Sequence, residues 1–174
     1  NYEAKREEVV VLALKLKNGQ KLRQSESSAF NAVRNALHRA KIAKAKVYDQ
    51  GDTSLVVFSQ SLSEKASALE AVKVAHEIDA SLKEFNKKYA IKIEYGLGMH
   101  VGEMFFEILD GKAKFTSIGS ITVTPKNLAS KADCSLLLSH DLYRKVYTVV
   151  KAEQDESGAY NVLSFKDRTS QSQF

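Results

Sequence analysis

Residues 91–101, Ile91-Lys92-Ile93-Glu94-Tyr95-Gly96-Leu97-Gly98-Met99-His100-Val101, alternate apolar and polar side chains without a break. Successive side chains of an extended strand point to opposite faces, so Ile91, Ile93, Tyr95, Leu97, Met99 and Val101 share one face and Lys92, Glu94, Gly96, Gly98 and His100 the other. The first face belongs in a core. The second is nearly bare at its centre, and glycine inside a strand marks a place where a ligand or another backbone comes close.

The pattern extends outward in both directions. Upstream, Ala66, Leu69, Val72, Ala75, Ile78, Leu82 and Phe85 recur at helical spacing and predict a long helix, opened by Ser61 or Ser63 and running to about Lys88. Before it, Lys46–Gln50 and Ser54–Phe58 flank Gly51-Asp52 and read as a hairpin. Earlier still, Ser25 or Ser27 caps a helix whose Phe30, Val33, Leu37 and Ala40 form one stripe. The β-branched stretch from Glu8 to Lys17 reads as a strand, with Val10, Leu12, Leu14 and Leu16 on one face and Val11, Ala13, Lys15 and Lys17 on the other, ended by a turn at Asn18-Gly19. Downstream follow strands at Met104–Leu109 and Lys114–Ile118, and a short helix from Thr124-Pro125 to about Ala132. A strand at Ser135–Leu138, a helix at Ser139–Val146 and a closing hairpin, Thr148–Glu153 with Tyr160–Phe165, complete the chain. The first six elements read β-α-β-β-α-β. That order predicts an α+β fold with a ferredoxin-like core, extra strands and helices, a mixed or antiparallel sheet of about seven strands, and the two main helices on one face.

The chain has 174 residues, 44% apolar and 27% charged, enough to bury one sizeable core, so residues 1–167 are expected to form one domain and 168–174 a polar tail. No apolar run reaches the roughly 18–20 residues of a membrane span, and no leader-like segment opens the chain, so a cytosolic location is the expectation. It begins at Asn1 rather than Met, as a piece of a longer protein would. A single cysteine, Cys134, excludes an internal disulfide and a cysteine-based zinc site, and its neighbours Leu136–Leu138 make it a core residue. The net charge of +5 is unevenly placed: residues 1–50 carry 11 basic and 5 acidic side chains.

Three stretches share an order with a known family. Gly51-Asp52 ahead of a strand ending in Phe58, then Gly98-Met-His-Val-Gly-Glu103, then Phe115-Thr-Ser-Ile-Gly119, together with the long helix and Leu137-Leu-Ser-His-Asp-Leu-Tyr143, resemble the catalytic domains of class III adenylate and guanylate cyclases. The resemblance spans nearly the whole chain and implies the nucleotide cyclase fold. Such enzymes join the 3′-hydroxyl of a nucleoside triphosphate to its α-phosphate, using carboxylates to hold two divalent metals and an arginine to meet charge developing on the phosphate.

Carried over residue by residue, the resemblance implies a degenerate site. The first metal-binding Asp falls at Lys15, and the second is kept as Asp52. The purine-selecting Lys and Asp fall at Tyr48 and Ser120, and the transition-state Asn and Arg at Val123 and Asn127. Only Asp52 survives. An ammonium in place of a carboxylate also repels the metal: at about 4 Å and an effective dielectric near 20, each like charge opposes binding by about 4 kcal/mol. No arginine lies between Arg39 and Arg144 to replace the missing one, and Lys126 and Lys131 lack the bidentate guanidinium. The implied reading is therefore a non-enzymatic module with no metal and no cofactor, working as a homodimer or with a partner signalling domain in intracellular signal transduction. The alternative is a divergent nucleotidyl cyclase, a phosphorus–oxygen lyase needing Mg²⁺ or Mn²⁺, or a nucleotide-binding domain.

Several features receive plainer readings. Lys15 and Asp52 are expected to form an ion pair where the metals would have been. Gly96, Gly98 and His100 line the bare sheet face and are the candidate dimer interface. His38, His76 and His140 lie on three different helices without metal-ligand spacing, and Glu103 is expected to pair with a nearby lysine. The bare face offers only Tyr48 as a base-stacking aromatic, which argues against nucleic-acid binding.

Overall fold

The computed structural model describes residues 2–25, 28–61, 67–117 and 120–166. In chain order they form β1 (Tyr2–Leu16), α1 (Gly19–Gln24), α2 (Ser28–Ile42), β2 (Lys46–Gln50), β3 (Thr53–Phe58), α3 (Ala68–Lys88), β4 (Tyr95–Leu109), β5 (Lys112–Ser117), a 3-10 turn (Ser120–Thr122), α4 (Val123–Lys131), β6 (Leu136–Leu138), α5 (His140–Val146), β7 (Val150–Gln154) and β8 (Tyr160–Phe165). The sheet has eight strands in the order β2-β3-β1-β4-β6-β8-β7, with β5 paired to the outer half of β4. Its first four strands keep the antiparallel ferredoxin-like order β2-β3-β1-β4, and β4 then runs parallel to β6.

Alternation decides the two faces of the sheet. Val10, Leu12, Leu14 and Leu16 of β1 join Tyr95, Leu97, Met99 and Val101 of β4 beneath α2, α3 and α5, in a core completed by Val72, Ala75, Ile78 and Leu82 of α3. Val9, Val11 and Ala13 face the other way, with Leu55 and Val57 of β3 and Met104, against Ile121 and Ala129. The expected bare face is therefore covered. Gly96 and Gly98 lie beneath α4 of the same chain, and a Cβ at Gly96 would collide with the Ala129 carbonyl and stand 2.8 Å from that of Ala132. A Cβ at Gly98 would collide with the Pro125 carbonyl and lie 2.6 Å from the Ala129 nitrogen. The close approach expected at these glycines is made by an intramolecular helix. Neither glycine is free to form a dimer interface.

Other boundaries move for local reasons. α3 starts at Ala68, with Ser67 as N-cap accepting from the Glu70 amide at 3.1 Å. Ser61 instead donates to Glu7, while Ser63 and Ala66 lie outside the described residues. Ser25 closes a short helix, α1, which starts at Gly19 of the expected Asn18-Gly19 turn; Ser27 is outside the described residues. Residues 91–94 are not yet strand, because asparagine side chains take their backbone groups: Asn86 Oδ1 accepts from the Ile93 amide and Asn18 Oδ1 from that of Glu94. The two strands expected over 91–109 are one. Pro125 sits in the first turn of α4, where its missing N–H costs no helical hydrogen bond. Residues 118, 119 and 167–174, and with them part of the Phe115–Gly119 stretch and the expected tail, are outside the described residues.

Candidate functional site

Lys15 and Lys17 project from the α4-facing side of β1 and meet the end of that helix. Lys15 Nζ donates to Ser130 Oγ at 3.1 Å, and Ser130 Oγ in turn donates to the Lys126 carbonyl at 3.0 Å. Lys17 Nζ donates to the Ser130 carbonyl at 3.0 Å and to that of Ala132. The last carbonyls of a helix have no partner within it and carry the negative end of its dipole, so the Lys17 ammonium is a fitting cap, with that of Lys15 beside it. Lys15, which the resemblance aligns with a metal-binding carboxylate, thus reaches α4 from the sheet.

Asp52 lies one residue before Thr53, the partner of Lys15 in the sheet, and its carbonyl accepts from the Leu16 amide at 2.8 Å. Its side chain turns instead toward α1. Arg23 Nη1 donates to Oδ1 at 2.7 Å, and Nη2 reaches Oδ2 at 3.5 Å. The hydrogen bond from Arg23 holds the Asp52 carboxyl below its ordinary range. Gly19 makes room for this arrangement, since a Cβ there would stand 2.7 Å from the carboxylate carbon. The expected Lys15–Asp52 ion pair is therefore replaced by two separate contacts: Lys15 with Ser130 and Asp52 with Arg23.

The donor set does not fit a two-metal centre. One carboxylate remains, and a guanidinium occupies it. Two lysines stand on the adjoining strand, and no group of three or more His, Cys, Asp or Glu able to hold a metal occurs among the described residues. Such an arrangement presents cations where a divalent ion would require anions.

The other carried-over positions do not converge on a pocket. Tyr48 is half-buried on β2, packed on the second core cluster with Lys46 Nζ 5.8 Å from its ring centre, and burial pushes its phenol pKa up. Val123 and Asn127 are exposed on α4. Ser120 begins the 3-10 turn, and its side chain is outside the described part of the structure. Glu103 pairs with Arg6 at 2.6 Å, an arginine in place of the expected lysine.

His100 is half-buried, and its Nδ1 stands 2.8 Å from Ser139 Oγ, the N-cap of α5, which also accepts from the Leu142 amide at 3.2 Å. Burial lowers the His100 pKa, partly offset by Asp141. A depressed folded-state pKa means that the unfolded chain binds more protons in acid, so this contribution is present above about pH 6.5 and lost as pH falls below it. His100→Gln is expected to flatten the pH 5–7 slope of the urea midpoint; an unchanged slope would reject the assignment.

Arg23, Lys17 and Ser130 are the participants that sequence reasoning missed. The one signal for Arg23 was its place in the basic first third of the chain. Nothing in the spacing of Lys17 and Ser130, 113 residues apart, indicated their contact.

No protein-family model matches the chain, and no curated protein matches it by sequence. Solved structures do match. The dimeric guanylyl cyclase domain of the RhoGC fusion protein from the aquatic fungus Blastocladiella emersonii aligns over 96% of this chain and 100% of its own, at 18% identity and a TM-score of 0.73. The guanylate cyclase domain of RhGC from Catenaria anguillulae, solved with GTP, aligns over 93% of this chain and 100% of its own, at 18% identity and TM-score 0.70. The adenylyl cyclase CyaB from P. aeruginosa aligns over 95% and 96%, at 17% identity and TM-score 0.67. At this identity the likeness is one of fold.

Proposed function

We propose that this chain, which has the fold of a class III nucleotidyl cyclase catalytic domain, serves as a non-enzymatic regulatory module in cytoplasmic signal transduction, pairing with a second copy or with a partner signalling domain. The observation that carries this reading is the state of Asp52: the one retained carboxylate is held by Arg23, beside a strand whose lysines reach α4. The chemistry of the fold's enzymes needs carboxylates for two metals and a guanidinium for the phosphate, and losing any one such group costs several kcal/mol of transition-state stabilisation.

Guanylyl cyclase domains of the RhoGC fusion protein that match this chain are described as a non-canonical dimer and as a monomer. Any self-association uses a surface other than Gly96 and Gly98, which α4 covers. No helix among the described residues is long and apolar enough to cross a membrane.

The test is an assay for cyclic AMP and cyclic GMP from ATP and GTP with Mn²⁺, paired with calorimetric Mn²⁺ titration and sedimentation. We expect no product above background and no stoichiometric submillimolar Mn²⁺ binding, with association that rises with concentration or on adding a partner domain. Turnover abolished by Asp52→Ala would establish the alternative, a divergent cyclase.

A further inference from the structure

No acidic residue occurs between Glu26 and Asp49, a stretch holding Arg34, Arg39, Lys41, Lys44 and Lys46. Three of these, Arg39, Lys41 and Lys44, lie in the last turn of α2 and the turn that follows it, ahead of edge strand β2. Ile42, the last residue of α2, is 69% exposed, the most exposed large apolar side chain among the described residues. Arg39 makes a loose contact with Glu77 at 3.7 Å, while Lys41 and Lys44 are exposed and form no ion pair among the described residues.

The backbone here has a further property. α2 closes with the Ala45 amide bonding the Ala40 carbonyl at 3.0 Å and the Lys44 amide bonding that of Lys41 at 3.0 Å, a Schellman ending. Its left-handed residue, ordinarily glycine, is Lys44, with φ +66°. A side chain with a Cβ is strained there, so a lysine at this position trades stability for a cation held at the tip of α2.

We infer that this tip docks the domain peripherally on an anionic lipid surface, with Ile42 entering the headgroup layer and Arg39, Lys41 and Lys44 meeting lipid phosphates and carboxylates. An exposed aliphatic residue among long cations suits a deformable interface. It suits nucleic acid less well, because phosphate contacts give no use to an exposed isoleucine. Binding of this kind is weak with one such signal, and so suits a module that a second anchor or partner brings to the membrane. It is independent of whether the domain retains catalysis.

The 174-residue chain is to be sedimented with vesicles of phosphatidylcholine alone and of phosphatidylcholine with 30% phosphatidylserine, in 0.1 and 0.5 M NaCl. Binding is expected on the anionic vesicles only, and weaker at high salt. Lys44→Gly should lower the apparent affinity about fivefold, equivalent to about 1 kcal/mol per basic residue at such a surface, while the urea midpoint holds or rises. Ile42→Ser should lower it several-fold with charge unchanged. Absence of binding, equal binding to neutral vesicles, or binding indifferent to both substitutions overturns the inference. So does a duplex oligonucleotide that binds as tightly as the vesicles and is unaffected by Ile42→Ser.

Discussion

Gly98→Ala is expected to lower folding stability by about 3 kcal/mol, seen as a fall of roughly 1–2 M in the urea midpoint. The added methyl has nowhere to go. It would collide with the Pro125 carbonyl and lie 2.6 Å from both the Ala129 nitrogen and Leu128 Cβ, so the obstacle includes the backbone of α4, which cannot yield by changing a rotamer. Relief requires lifting α4 from β4, exposing Ala129, Ile121 and the apolar face of Val9, Val11 and Ala13. Gly96→Ala should act in the same direction. Gly111→Ala is the control: no atom lies within 4 Å, and its cost is the backbone strain of φ +78°, about 1 kcal/mol. A Gly98→Ala protein as stable as the Gly111→Ala protein would mean that α4 does not rest on these glycines.

The second large effect lies at Asp79 of α3. Its side chain is 2% exposed, and it accepts from the hydroxyl of fully buried Tyr95 at 2.7 Å and from Lys83 at 2.9 Å. Asp79→Ala leaves the Tyr95 hydroxyl with the Asp79 main-chain carbonyl at 3.2 Å and is expected to cost about 3 kcal/mol. Tyr95→Phe should cost about 2 kcal/mol by removing a donor from a buried carboxylate. The double mutant should lose less than the sum, by about 1 kcal/mol or more, since the two groups share one bond. Additive losses in urea unfolding would show that no such bond stabilises the fold. Burial, and then Asp79, also raises the Tyr95 pKa. An unfolded tyrosine ionises near pH 10 while this one stays protonated, so its contribution is full below pH 10 and falls above it, a slope that Tyr95→Phe should reduce.

Much of the fold was legible because its evidence is local. The alternation through Tyr95–Val101, the helical spacing of Val72, Ala75, Ile78 and Leu82, and the turn at Gly51-Asp52 each report backbone conformation within a few residues, and all three elements are present. The glycines at 96 and 98 also announced a close approach. Their spacing could not say what approaches, since α4 lies some thirty residues further along the chain.

The candidate site divides in the same way. The residue types at the positions that the resemblance aligns with the cyclase pattern are fixed by the sequence: a lysine stands at 15 and an asparagine at 127. Which groups those residues meet is another matter. Lys15 on β1 and Asp52 in the turn before β3 are close in the sheet, yet one reaches Ser130, 115 positions away, and the other Arg23, 29 positions away. The amino-acid sequence alone determined the strand and helix periodicities and the ferredoxin-like order, set by side-chain type and short-range spacing. Only the tertiary structure decided that α4 closes the glycine face, that Arg23 claims Asp52, and that the basic end of α2 exposes Ile42. Each of these depends on contacts between distant segments, whose geometry exists only once the sheet has assembled.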